Sequence, residues 1–251
     1  MSRALVRGIT VFETLAEADD RGLGPSAIAE AVKIDKATAT RILHTLMDMD
    51  YVQQDETTRR YRVTGKIVRL AQGVRSQFDL RSMARPYLRR LSEMLNETVH
   101  LGVMEDLRIV YLDKLESTNS IQLVSAVGQT MPLHSTSLGK AILSALPEAE
   151  LEARLARMDF AARSERTITD IDEFRAEVKR TRERGYATDD QENEPGGACV
   201  ASAIADADGW PVGAISVSGP EFRIRDHLET FGVATRDTAA AIARAFGGGT
   251  G

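Results

Sequence analysis

An α+β chain in two parts, a small helical unit closed by a hairpin and a larger sheet domain flanked by helices, is the fold class this sequence predicts. Three observations predict it. The first 65 residues carry three short runs of helical periodicity, then two β-prone runs around a charged turn. Residues 98–219 carry six further β-prone runs, and helical patterns precede, interrupt and follow them. A length of 251 residues, 43% hydrophobic and 27% charged, suits two modest domains.

Composition also excludes. The formal net charge is only −5, so any nucleic-acid partner must be held by a local patch rather than a bulk basic field. Cys199 is the single cysteine and the four histidines show no zinc-ligand spacing, so disulfide and zinc scaffolds, metal sites and cofactors are not expected. No apolar run approaches a membrane span, and "GITVF" meets Glu13 before it could serve as a secretory core. The chain reads as soluble, cytoplasmic and without a membrane partner.

Leu5, Ile9, Phe12 and Leu15 form one apolar stripe on a first helix, which "ADDRGLG" stops. "PSAIAEAV" offers Ser26 as N-cap of a second helix with Ile28, Ala29 and Val32 on one face. A turn through "KIDK" leads into a third helix from Lys36. Its apolar face is Ala39, Ile42, Leu43, Leu46 and Met47, leaving Thr38, Thr40, Arg41, His44, Thr45 and Asp48 outward. "YVQQ", "DETTR" and "RYRVT" then make a hairpin.

Helix, helix, turn, helix, hairpin is the order of a winged helix-turn-helix. In that reading the third helix enters a major groove, with Lys36, Thr38, Thr40, Arg41 and His44 facing the DNA and Arg59 and Arg60 on phosphates beside it. Residues 1–65 hold nine Lys/Arg against ten Asp/Glu, a balance that also suits a protein-interaction module. The bases nevertheless concentrate in the turn, third helix and wing.

"KIVRLAQGVRSQF", 66–78, places Ile67, Leu70, Ala71 and Val74 at helical spacing, as a helix connecting two domains would. From Leu80 another helix turns Ala84, Tyr87, Leu88, Leu91, Met94 and Leu95 inward, Pro86 forcing a kink or a late start. "TVHLGVME", "RIVYLDKLE", "IQLVSAV", "YATD", "GGACVASAI" and "PVGAISVSG" read as strands. Helical patterns fill 138–146, 148–157, 170–185 and 224–246.

"MPLHSTSLGKAIL", 131–143, runs a loop into a helix, with Ser135, Thr136 and Ser137 around its N-cap, where free N–H groups and the helix dipole favour an anion such as a carboxylate. Ser137 and Lys140 also fit the S-x-x-K spacing of a serine hydrolase, but its partner elements "SDN" and "KTG" do not follow. Gly139-Lys140 echoes a phosphate loop without its first glycine or its closing Ser/Thr. The acidic and amide run 189–194 has Glu194 where a calcium loop needs glycine. Ser216 and Ser218, two apart, share one face of a strand.

The segments "LVRGITVFETLAE", "SAIAEAVKIDKATATRILHTLMDMDYV" and "YRVTGKIVRLA" resemble, in order, the DNA-binding half of the IclR-type transcriptional regulators. "MPLHSTSLGKAIL", "RGYATDDQENEPGGACVASAI" and "GAISVSGPEFRI" resemble the signature segments of that family's effector-binding domain. Asp35 departs from the proline or uncharged residue frequent at its position. The resemblance implies a winged helix-turn-helix over 1–65, a subunit-pairing linker helix over 66–79 and a GAF-like effector domain over 80–251. It implies effector contacts at Asp189, Cys199, Ser216 and Ser218, with the backbone at Ser137 and Leu138. The expected partners are a pseudo-palindromic operator in double-stranded DNA, a small hydroxy or keto acid, and a second subunit in a homodimer, or four in a dimer of dimers.

Overall fold

A computed structural model of the chain describes residues 2–19, 21–68 and 75–247, and only the backbone of 75–79 and 247. The chain divides into two compact units, 1–75 and 76–251.

The first unit contains helices α1 (Arg3–Ala16), α2 (Pro25–Val32) and α3 (Lys36–Asp48), then an antiparallel hairpin of β1 (Val52–Gln54) and β2 (Tyr61–Val63). A bridge from Leu23 to Tyr61 ties the segment before α2 to the hairpin. Gly24, not Ser26, caps α2, with Pro25 in its first turn, where a missing N–H loses nothing because the helix start leaves that group unpaired. Asp35 caps α3: its carboxylate accepts the Thr38 N–H at 2.9 Å and the Thr38 hydroxyl at 2.7 Å. The core is Val11, Leu15, Ile28, Ala29, Ala39, Leu43, Val52 and Tyr61. The apolar stripe expected on α1 is divided. Leu15 is buried and Phe12 partly so, and Val11, outside that stripe, is fully buried, whereas Leu5 is 63% and Ile9 49% exposed. They border an open apolar groove shared with Ile42, Leu46 and Met49.

The linker helix expected over 66–79 falls partly outside the described residues; the backbone is helical at 66–68 and again from Arg75. Helix α4 (Arg75–Leu95) therefore begins before the expected Leu80 and holds Pro86 in its interior. Pro86 and Ser82 one turn back are both exposed, so the carbonyl that loses its partner has access to water. The buried stripe of α4 runs Leu80, Ala84, Leu88 and Leu91 toward Leu95, which leaves Met94 off it and 63% exposed rather than inward.

Six antiparallel strands follow: β3 (Thr98–Glu105), β4 (Arg108–Leu115), β5 (Thr130–Pro132), β6 (Ala187–Asp190), β7 (Gly197–Ala205) and β8 (Pro211–Pro220). Their order in the sheet is β5-β4-β3-β8-β7-β6. The expected strand at 121–127 does not form. Carbonyls there are taken by side chains instead of a ladder, Ser125 by Lys114 and Ile121 by Arg223, and β5 lies further on. Helices α5 (Ser137–Ala145), α6 (Glu148–Leu155) and α7 (Ile171–Arg184) interrupt the strands; the short α8 (Glu221–Ile224), a 3-10 turn (Arg225–His227) and α9 (Leu228–Gly247) close the chain.

Strand alternation sorts the side chains onto two faces. Val99, Leu101, Val103, Val200, Ile204, Ile215 and Val217 pack with α4 and α9. The opposite face carries α5, α6 and α7 over Ile109, Ala187, Ala201 and Ala214. Helix α5 lies so close to the chain before it that a Cβ on Gly139 would collide with the Leu133 backbone. That glycine serves packing, which accounts for the phosphate-loop echo. Among the described residues no helix is long and apolar enough to cross a membrane.

Candidate functional site

The register of the sheet assembles the second unit's site. Asp189 of β6 pairs with Cys199 of β7, Cys199 with Ser218 of β8, and Ser218 with Thr98 of β3; in the next row Ala201 pairs with Ser216 and Ser216 with His100. Residues far apart in sequence thus stand side by side on the face that α5 covers. Of these, His100, Asp189, Cys199, Ser216 and Ser218 line a cavity of about 60 Å³ together with Tyr111, Leu123, Thr136, Ser137, Leu138 and Asn193.

Thr136 is the N-cap of α5, its hydroxyl oxygen accepting the Gly139 N–H at 3.2 Å. The N–H groups of Ser137 and Leu138 occupy the first two helical positions, where no intrahelical acceptor exists. Ser135 does not line the cavity: it is fully buried and donates to Asn193 Oδ1 at 3.0 Å, holding the 189–194 loop. Lys140 is fully buried with its ammonium 2.6 Å from Glu192 Oε1. That ion pair fastens the same loop to α5. It also removes the lysine from the role the S-x-x-K spacing would require, since the ammonium is committed to Glu192 and not to Ser137.

Asp189 Oδ1 accepts the backbone N–H groups of Glu192 at 2.8 Å and Asn193 at 3.3 Å. Burial nevertheless pushes its carboxyl up to about 7, the Glu192 charge adding to the effect and Lys140 opposing it. Burial and the Lys114 charge bring His100 down to about 3, so its imidazole is neutral. The ring is fixed by Ser125 Oγ at 2.8 Å and stacked on Tyr111 at 4.6 Å between centroids. Burial and the Asp189 charge hold the Cys199 thiol well above its ordinary range, which favours the neutral thiol. Among the described residues no lysine or arginine lines the cavity. An anion here would meet helix N–H groups, hydroxyls and a carboxyl able to keep its proton.

In the first unit, Lys36, Thr40, Arg41 and His44 line one shallow open surface on α3. Lys36, Arg41 and His44 are exposed. Thr38 turns its hydroxyl to Asp35, and Thr40 donates its own to the Lys36 carbonyl at 2.9 Å. Arg59 and Arg60 are exposed on the wing; Arg59 takes a left-handed backbone (φ 58°), and Arg60 reaches the Gly22 carbonyl at 3.1 Å. Basic side chains of helix and wing are thus available to an anionic partner.

Sequence reasoning missed His100, Tyr111, Leu123 and Asn193 in the cavity. A histidine among apolar alternators in "TVHLGVME" was the one available signal, because its face is that of Gly102 rather than of Val99 and Leu101. Tyr111 could not have been found this way: the register slips between Leu101 and Gly102, and only that slip sets Tyr111 opposite Gly102.

The family described as "Bacterial transcriptional regulator IclR C-terminal" matches residues 72–244, and "IclR helix-turn-helix domain" matches residues 4–56. The HTH-type transcriptional regulator KdgR of Escherichia coli (strain K12) is 31% identical over 233 residues, covering 92% of this chain and 89% of its own length. The crystal structure of the Thermotoga maritima IclR superposes with a TM-score of 0.81 at 30% identity, covering 97% of this chain and 98% of that one. An IclR homolog from Microbacterium hydrocarbonoxydans, solved in complex with 4-hydroxybenzoate, shares the fold with a TM-score of 0.79 at 22% identity, covering 97% and 98%.

Proposed function

The chain belongs to the IclR family of transcriptional regulators, and from that premise we propose that it is a DNA-binding regulator whose second unit senses a small hydroxy or keto acid. One observation carries the reading of the pocket: Asp189, Cys199, Ser216, Ser218 and the start of α5 line a single cavity. The two free N–H groups of α5 take the carboxylate, aided by the helix dipole. The Ser216 and Ser218 hydroxyls and Asp189 take the hydroxyl or keto oxygen. The 4-hydroxybenzoate bound by the Microbacterium relative supports an organic carboxylate as the ligand, without fixing its size.

Helix α3 reads the major groove through Lys36, Thr40, Arg41 and His44, while Arg59 and Arg60 hold phosphates. Thr38 contributes by fixing the helix start rather than by presenting a free hydroxyl. Two copies of the chain bind a pseudo-palindrome in the cytoplasm. Leu5, Val6 and Ile9, exposed on α1, form an apolar face that a second copy would cover.

The test is thermal. A hydroxy or keto acid that fits should raise the melting temperature of the wild type by mass action and leave Asp189→Ala unmoved. Ser137→Ala should change the shift little, because the backbone N–H groups survive it. Ester or amide turnover that vanished in Ser137→Ala would overturn the receptor reading in favour of a hydrolase.

A further inference from the structure

We propose that the stacked pair His100–Tyr111 sets an upper size on the ligand and restricts it to short-chain oxo or hydroxy acids, excluding aromatic ones; this rests on the acid-receptor reading above. The cavity measures about 60 Å³. Cavities that take up benzene measure about 150 Å³, so a ring cannot be enclosed here, whereas an acid of about two to three carbons can be seated with its outer end at the mouth.

The limit comes from particular side chains. The floor is made of small residues, Gly197, Cys199, Ser216 and Ser218, which alone would leave room for a larger ligand. The rings of His100 and Tyr111, 22° from parallel, occupy that room. His100 cannot swing aside cheaply, because Ser125 holds its Nε2 and Ser218 stands 3.5 Å from its Nδ1. Tyr111 is packed from behind against the core under α5. Across the cavity Leu123 closes on Gly197, where an added Cβ would come within 3.3 Å of the leucine methyl.

The experiment is calorimetric titration of the full chain and of Tyr111→Ala with lactate, pyruvate, benzoate and the neutral propane-1,2-diol. The wild type should bind lactate or pyruvate at least tenfold more tightly than benzoate, and Tyr111→Ala should reverse or erase that preference. Tyr111→Leu, which keeps an apolar side chain toward the core, replaces the alanine variant should the latter not fold. Benzoate binding to the wild type as tightly as lactate, or a preference unchanged in the folded variant, would overturn the size limit while leaving the acid reading intact. Binding of the diol as tight as lactate, or binding of none of the acids, would overturn the acid reading and the size limit with it.

Discussion

Asp189 is where the chemistry of the pocket is most exposed to test. Its ordinary value of 3.8 is pushed up to about 7 in the folded protein, chiefly by burial. Between about pH 4 and 7 the folded chain holds a proton that the unfolded chain has released. The raised value therefore favours folding at low pH, and that contribution is lost as pH rises through 7. Asp189→Asn, neutral throughout, should gain stability over the wild type as pH goes from 5 to 8, read as a widening gap in melting temperature; a constant gap would contradict the assignment. Ligand binding should follow the same proton. An incoming carboxylate avoids a second negative charge only while Asp189 is protonated, so affinity should fall above about pH 7 in the wild type.

Lys140 gives a second prediction at this scale. Its ammonium is fully buried on Glu192, whose Oε2 has no hydrogen-bond partner among the described residues, so removing the lysine strands a carboxylate in the protein interior. Lys140→Met should cost about 3–5 kcal/mol in denaturant unfolding, and Lys140→Met with Glu192→Leu should recover most of it. A mild single variant would mean that the pair is not what fastens the 189–194 loop.

At the scale of elements, helix α3 and the wing make separable predictions. Arg41→Ala should erase discrimination at one base position, worth about 1–3 kcal/mol if the contact is bidentate, whereas Arg59→Ala should weaken binding to all sequences and reduce the salt slope by about one. Gel shifts against the DNA upstream of its own gene and against scrambled DNA, over a range of salt, separate the two. Equal losses on both DNAs from Arg41→Ala would count against α3 lying in the groove.

Elements also mark what could be read in advance. Helix α3 was legible because its apolar residues, Ala39 to Met47, recur at helical spacing over more than two turns, and β3, β4, β7 and β8 because their alternation is long. The division of α1 was not, since Leu5 and Ile9 have the periodicity of buried residues and face an open groove. Nor was the loss of a strand at 121–127: a β-prone segment became irregular because Lys114 and Arg223, distant or off its face, claim its carbonyls. In the pocket, Ser216 and Ser218 followed from spacing alone. Asp189 and Cys199 needed the family resemblance, and His100 and Tyr111 needed the register of the folded sheet.

On the scale of the whole molecule, a ligand-responsive regulator requires two sites that are coupled. A ligand alters DNA affinity only if it binds two arrangements of the protein unequally, and the coupling, typically about 1–3 kcal/mol, must be the same in both directions. Two subunits should protect half-sites spaced near a whole turn of DNA, about 10 base pairs or a multiple. The most direct measurement is fluorescence anisotropy of labelled upstream DNA with and without saturating lactate or pyruvate, paired with calorimetry of the same acid with and without that DNA. The acid should shift DNA affinity by some five- to 150-fold, DNA should shift acid affinity by the same factor, and both effects should vanish in Asp189→Ala. An acid that binds the pocket and leaves DNA affinity unchanged would contradict this coupling.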